Sequence, residues 1–106
     1  MKHLKWSPSE KRLARSLFDR AVAVELQEII ADFKRRAAEV STPEQMWALR
    51  EYLGQTQRDF DVKYDYRYSQ LLRVFGHLVR EGRITEQELE GLSEEKRQYI
   101  SRVTSL

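Results

Sequence analysis

The chain has 106 residues, 41% of them hydrophobic and 34% charged, a balance too apolar for a disordered tail and too charged for a membrane span. Nineteen Lys and Arg against seventeen Asp and Glu leave a net charge of +2, and zero cysteines exclude disulfides, a thiol nucleophile and thiolate metal sites. No run approaches the roughly 20 apolar residues a transmembrane helix needs, and Met1-Lys2-His3-Leu4-Lys5-Trp6 has no apolar stretch behind it. The expectation is one domain over 1–106, cytoplasmic, with no membrane partner and no secretory signal.

The two signs of charge are mixed except over the first twenty residues, where Lys2, Lys5, Lys11, Arg12, Arg15 and Arg20 face only Glu10 and Asp19. Such an arm is expected to be solvated and frayed, and it is a small footprint for phosphate binding, so nucleic acid is not expected as a partner.

The first helix start is Ser7-Pro8-Ser9-Glu10, a capping box with proline where its missing N–H costs nothing. Leu13, Leu17, Ala21, Val22, Leu26, Ile29, Phe33, Ala37 and Val40 then recur at helical spacing, which predicts one helix over 8–40. Thr42-Pro43-Glu44-Gln45 repeats the box. Behind it Met46, Leu49, Leu53, Thr56, Phe60, Tyr64, Tyr68, Leu71, Phe75 and Leu78 step by three or four, predicting a second long helix over 43–81. Lys63-Tyr64-Asp65-Tyr66-Arg67-Tyr68 also alternates with period two, as a strand would, but the helical pattern around it outweighs six residues, and the expectation is helix with room for a kink over 64–68. Gly82 is placed to stop that helix. Thr85-Glu86-Gln87-Glu88 and Ser93-Glu94-Glu95 then open two short helices, near 86–92 and 94–104, which form a small C-terminal cap.

A helix over 8–40 is about 50 Å long at 1.5 Å per residue. A compact globule of this size is roughly 33 Å across. Two such helices cannot both be covered by the remaining residues, and Phe18, Ile30, Trp47 and Tyr52 widen their apolar stripes. The predicted architecture is therefore all-α: two long helices in an elongated homodimeric bundle, plus the C-terminal cap.

Catalytic and metal motifs fail on inspection. With Gly82 sixth in an EF-hand loop, Val79 falls third and offers calcium no oxygen. His77 and Glu81 share a helix face, but two ligands do not make a site. His3 reads as a solvated side chain. Asp61 and Asp65 have Arg58, Lys63 and Arg67 beside them and read as ion pairs. The four glycines are isolated and no serine elbow occurs. The chain reads as no enzyme, with no cofactor and no metal. Off-stripe aromatics Trp47, Tyr52 and Tyr66 among Arg50, Glu51 and Arg67 resemble instead the make-up of a protein interface or dimer core.

The run Trp47-Ala48-Leu49, Leu53, then Lys63-Tyr64-Asp65, Arg67, Ser69, then Val74-Phe75, Leu78-Val79 and Glu81-Gly82 resembles the fluorescence recovery protein family of cyanobacteria. Trp6-Ser7, Leu17-Phe18 and Glu25 upstream, and Glu88-Leu89, Leu92 and Lys96 downstream, extend the likeness over nearly the whole chain. The resemblance implies a non-enzymatic, all-helical homodimer. It would bind the photoactivated orange carotenoid protein, hasten its return to the resting orange form, and so end quenching at the phycobilisome.

It also implies a partner-binding and dimer-junction surface from Trp47, Arg50, Glu51, Leu53 and Arg58, assisted by Arg73. Glu51 replaces the family's usual Asp. Gln57 stands where an arginine is expected, with Arg58 one place later and about 100° round the helix. Arg50 replaces a histidine, and Arg73 an aromatic. The alternative is a helical dimer of the same family acting as adaptor for a different protein.

Overall fold

The computed structural model describes residues 4–106. The expectations for Lys2 and His3 lie outside the described residues. The chain forms α1 (Pro8–Ala38), α2 (Pro43–Lys63), α3 (Leu71–Arg80), a 3-10 turn at Gln87–Leu89 and α4 (Glu94–Thr104), with no strand among the described residues. The fold is all-α.

Each start signal acts through its own hydrogen bonds. Glu10 N–H donates to Ser7 Oγ at 3.1 Å while Ser7 N–H donates to Glu10 Oε1 at 2.9 Å. Thr42 and Gln45 exchange the same pair at 3.2 Å each way. Thr85 and Glu88 do so at 3.1 and 3.0 Å. Ser93 Oγ accepts from Lys96 N–H at 3.3 Å. These contacts satisfy amide donors that a helix start otherwise leaves to water. Gly82, at φ +75°, ends α3: its N–H reaches the Val79 carbonyl at 2.9 Å and Arg83 N–H reaches that of Leu78 at 2.8 Å. Only a residue without a Cβ takes that backbone turn without strain.

The helices differ from expectation in three places. The first ends at Ala38 rather than 40, because Pro43 drives Thr42 into extended backbone, φ −128° and ψ 157°, and the last turn tightens to i→i+3 bonds from Glu39 and Val40. The second long helix is not one helix: the chain leaves the helical path over 64–70, between α2 and α3. Tyr64 N–H makes the last helical bond, to Phe60 at 2.9 Å. Asp65 then turns back on Arg67, and the Tyr66 ring meets Phe18 edge-on at 4.8 Å while Tyr68 meets Trp6 at 5.5 Å. Ring contacts of half-buried Tyr66 with Phe18 on α1, and of Tyr68 with Trp6 just before it, outweigh helix propensity over those residues. Third, the expected helix near 86–92 is a single 3-10 turn, because Leu89 and Leu92 are both drawn into the core around exposed Gly91.

Length alone points to one domain, whereas the described residues group into two compact units: 4–21 with 65–106, and 22–64. The residues expected as a small C-terminal cap share a unit with the start of α1. The first unit has a closed core of Ala14, Leu17, Phe18 and Ala21 from α1, Leu71, Val74, Phe75 and Leu78 from α3, and Ile84, Leu89, Leu92 and Ile100 beyond them. Each large member contributes about 1.5–3 kcal/mol by leaving water. Thr104 Oγ1 donates to the Gly76 carbonyl at 3.2 Å, and a Cβ on Gly76 would stand 2.6 Å from that of Val103, so α3 and α4 touch backbone to side chain.

The second unit is an antiparallel hairpin of α1 and α2. Tyr52 pairs with Asp32 near the middle, and Lys63 and Tyr64 pair with Glu25 at the foot. No side chain between 22 and 63 is buried.

Candidate functional site

Trp47, Arg50, Glu51, Leu53 and Arg58 all lie on α2, whose capping box and Pro43 fix where the helix begins and hence where each side chain points. Trp47 is 56% exposed, with Glu51 one turn further along the same face. Among the described residues nothing pairs with Trp47, Arg50 or Glu51, so all three are available to a partner.

Arg50, Glu51, Leu53, Gly54, Gln57 and Arg58 together line a shallow depression of about 350 Å³. Arg58 reaches it although its Cα sits round the helix from that of Gln57. Its guanidinium lies back along α2, donating to Gln55 Oε1 at 3.0 Å, with Nη1 3.5 Å from where a Cβ on Gly54 would stand. The depression thus carries one carboxylate and two guanidiniums, a mixed-charge lining suited to polar docking.

Leu53 also lines a second, more apolar cleft of about 360 Å³ between α1 and α2, with Leu26, Ile29, Thr56, Gln57, Phe60 and Asp61. Large apolar side chains remain in water along both helices of the hairpin: Val24, Leu26, Ile30, Phe33, Met46 and Val62 are all exposed, Val62 to 72%.

Tyr52, which the sequence groups with Trp47 as an interface aromatic, is engaged inside the hairpin. Its hydroxyl donates to Asp32 Oδ2 at 2.9 Å, and the Arg36 guanidinium stacks on its ring at 3.9 Å while donating to the same oxygen at 2.8 Å. Arg36 first, then Tyr52, hold the Asp32 carboxyl below its usual range. The i, i+4 spacing of Asp32 and Arg36 is legible in the sequence, but Tyr52 as third member needs the hairpin register. Glu25 likewise has no local signal as a partner: Lys63 Nζ and Tyr64 Oη both donate to its Oε1, at 2.7 and 2.6 Å. Lys63 thereby ties the foot of α2 to α1.

Arg73 lies in the other unit, on α3, half-buried and donating to Gln70 Oε1 at 3.0 Å. The described part of the basic arm is helical from Pro8, and its cations are partly engaged. Arg20 binds Glu88, Arg15 stacks on the Tyr66 ring at 3.7 Å, and Lys11 sits over Tyr68 at 5.3 Å. Glu81 accepts from Arg83 at 2.9 Å. Among the described residues no three metal-ligating side chains converge, and no helix is long and apolar enough to cross a membrane.

The comparisons with known proteins agree on one family. The family model described as "Photoprotection regulator fluorescence recovery protein" matches residues 6–105. The fluorescence recovery protein of Synechocystis sp. PCC 6803 is 31% identical over 101 residues, covering 95% of this chain and 93% of that protein. The solved structure of the Fremyella diplosiphon fluorescence recovery protein superposes with a TM-score of 0.88 at 32% identity, over 96% of this chain and 100% of that one. The Synechocystis structure gives the same TM-score of 0.88 at 30% identity and the same coverage, 96% and 100%. With sequence and fold in accord across nearly its whole length, this chain belongs to the fluorescence recovery protein family, non-enzymatic regulators of photoprotection.

Proposed function

We propose that this chain acts as a homodimer that binds the photoactivated orange carotenoid protein and accelerates its reversion to the resting orange form, ending quenching at the phycobilisome. The observation that carries the reading is the hairpin of residues 22–63, which buries no side chain while leaving Leu26, Phe33, Trp47 and Leu53 exposed. An apolar surface so extensive marks an interaction site. A second copy against one face of the hairpin leaves Trp47, Arg50, Glu51 and Arg58 for the partner, with Leu53 at the junction and Arg73 assisting from the first unit. The setting is the cytoplasm.

Affinity alone does not hasten a conformational change. The dimer must hold the arrangement between the photoactivated and resting forms more tightly than the photoactivated form itself. The exposed, unpaired charges around the α2 depression supply contacts that can be made in that arrangement. The test mixes purified protein with the red form and follows its colour reversion in the dark, alongside sedimentation velocity. Acceleration by a dimeric species is expected. A compact monomer at micromolar concentration removes the dimer, and no acceleration at stoichiometric excess removes the carotenoid-protein partner. One observation favours the second reading, an adaptor dimer for another protein: Gln57 leaves the α2 depression without the charge the family places there, and Arg58 enters it from a different position.

A further inference from the structure

The first unit carries a second surface that differs in chemistry from the α2 depression. Lys11, Arg12, Arg15 and Ser16 on α1 form a groove of about 390 Å³ with Tyr66 and Tyr68 from the segment between α2 and α3. We propose that this groove docks a carboxylate-rich segment of a protein partner. The inference rests on the reading above only in that the chain works by binding another protein.

Three features point to carboxylates. First, the groove carries three cations, and its near carboxylates are already committed. Glu10 faces inward to Lys96, Asp65 is held by Arg67 at 2.8 Å, and Asp19 takes Arg15 through one exposed contact at 3.3 Å. Exposed pairs of that kind contribute only tenths of a kcal/mol, so an incoming carboxylate displaces Asp19 easily. Second, the Arg15 guanidinium lies over the Tyr66 ring at 3.7 Å. That contact restrains the side chain, so less rotamer freedom is lost when its N–H groups bind a carboxylate. Third, Arg12 is exposed and has no partner among the described residues, one helical turn before Ser16.

Nucleic acid fits the groove less well. Bases would need open aromatic faces, but Arg15 covers Tyr66, and Lys11 and Trp6 crowd Tyr68 at 5.3 and 5.5 Å. Elsewhere the same unit exposes Glu86, Glu90, Glu94 and Glu95, which repel a phosphate backbone.

The test uses the full-length protein and a labelled ten-residue oligoglutamate peptide, with fluorescence anisotropy read at two salt concentrations. Binding that weakens with salt is expected, together with a loss of at least about tenfold in Arg12→Gln/Arg15→Gln and a flatter salt dependence. Arg12→Gln alone, at a side chain with no partner among the described residues, should lose part of the affinity with an unchanged thermal midpoint. Three results overturn the proposal: no peptide binding at low salt, unchanged affinity in both variants, or tighter binding of duplex DNA of equal charge through the same arginines. Colour reversion is measured in parallel. A wild-type protein that binds the peptide but does not hasten reversion removes the functional reading and leaves the groove standing.

Discussion

Glu10 and Lys96 form a buried ion pair in the first unit, with Lys96 Nζ 3.2 and 3.3 Å from the two carboxylate oxygens and the residues only 7% and 4% exposed. The pair is fully coordinated. Glu10 also accepts from Ser7 N–H at 2.9 Å and Ser93 N–H at 2.8 Å, while Lys96 donates to the Lys5 carbonyl at 2.5 Å and lies over the Trp6 ring at 5.0 Å. One carboxylate therefore serves the starts of both α1 and α4, where two sets of free amides and two positive helix ends converge.

Breaking that pair is expected to be severe. Glu10→Gln leaves the Lys96 ammonium buried without its counter-charge and should destabilise the protein by about 3 kcal/mol in urea unfolding. Replacing both, Glu10→Leu with Lys96→Met, should recover a large share of that loss. A Glu10→Gln variant within 1 kcal/mol of wild type, by the same ~3 kcal/mol scale, would remove the pair from the stability of this unit.

Acid should loosen the first unit in a defined window. Glu88 is pushed down to about 2, first by the Arg20 guanidinium and then by the Thr85 amide. Burial raises Glu10, but the Ser7 and Ser93 amides and Lys96 outweigh it and hold the carboxyl below its ordinary 4.5. Both groups bind protons less readily folded than unfolded. Their stabilisation is therefore present above the ordinary value near 4.5 and is lost as the pH falls through each folded value, which for Glu88 is about 2. Denaturation midpoints of wild type and Glu88→Gln should differ by a constant amount at neutral and mildly acidic pH and converge near pH 2. A gap undiminished there contradicts the assignment.

Two glycines should respond oppositely to alanine. At Gly76 the new methyl would stand 2.6 Å from Val103 Cβ and 3.4 Å from the Ile100 carbonyl, an overpacking expected to cost about 1–3 kcal/mol and to be relieved by Val103→Ala. At Gly54 the methyl would meet only Arg58 Nη1 at 3.5 Å. Relief of the glycine penalty in a helix interior should add up to about 1 kcal/mol there. Thermal unfolding of the two variants checks both signs.

Trp47→Ala should separate folding from recognition. The side chain is 56% exposed and makes no paired contact among the described residues, so the single-chain fold should change by less than about 0.5 kcal/mol. Large aromatic anchors dominate interfaces, and its loss should weaken dimerisation or partner binding about 30-fold, near 2 kcal/mol. Sedimentation combined with pull-down of the partner reads each effect. A variant that dimerises and binds as wild type does would take Trp47 out of the surface.

By itself the sequence determined where α1, α2, the 3-10 turn and α4 begin, because a capping box links residues three apart and needs no tertiary partner; α3 starts at Leu71 without a side-chain cap and had no such signal. Ser7 with Glu10, Thr42 with Gln45, Thr85 with Glu88 and Ser93 all act where they stand, and Gly82 ends α3 through its own backbone. The family was legible too, in the spacing of Trp47, Lys63-Tyr64-Asp65 and Val74-Phe75. Periodicity failed at 64–70, since Tyr64 and Tyr68 fit a helical stripe as well as they fit separate anchors. Only the tertiary structure decided between them: Tyr64 goes to Glu25 in the hairpin, and Tyr66 and Tyr68 go to Phe18 and Trp6 in the first unit. The Glu10–Lys96 pair, 86 positions apart, and the Asp32–Tyr52 bond had no local signal either. Partners brought together by packing leave no fixed spacing in the chain. Their interaction depends on burial and helix register, which exist only once the elements have met.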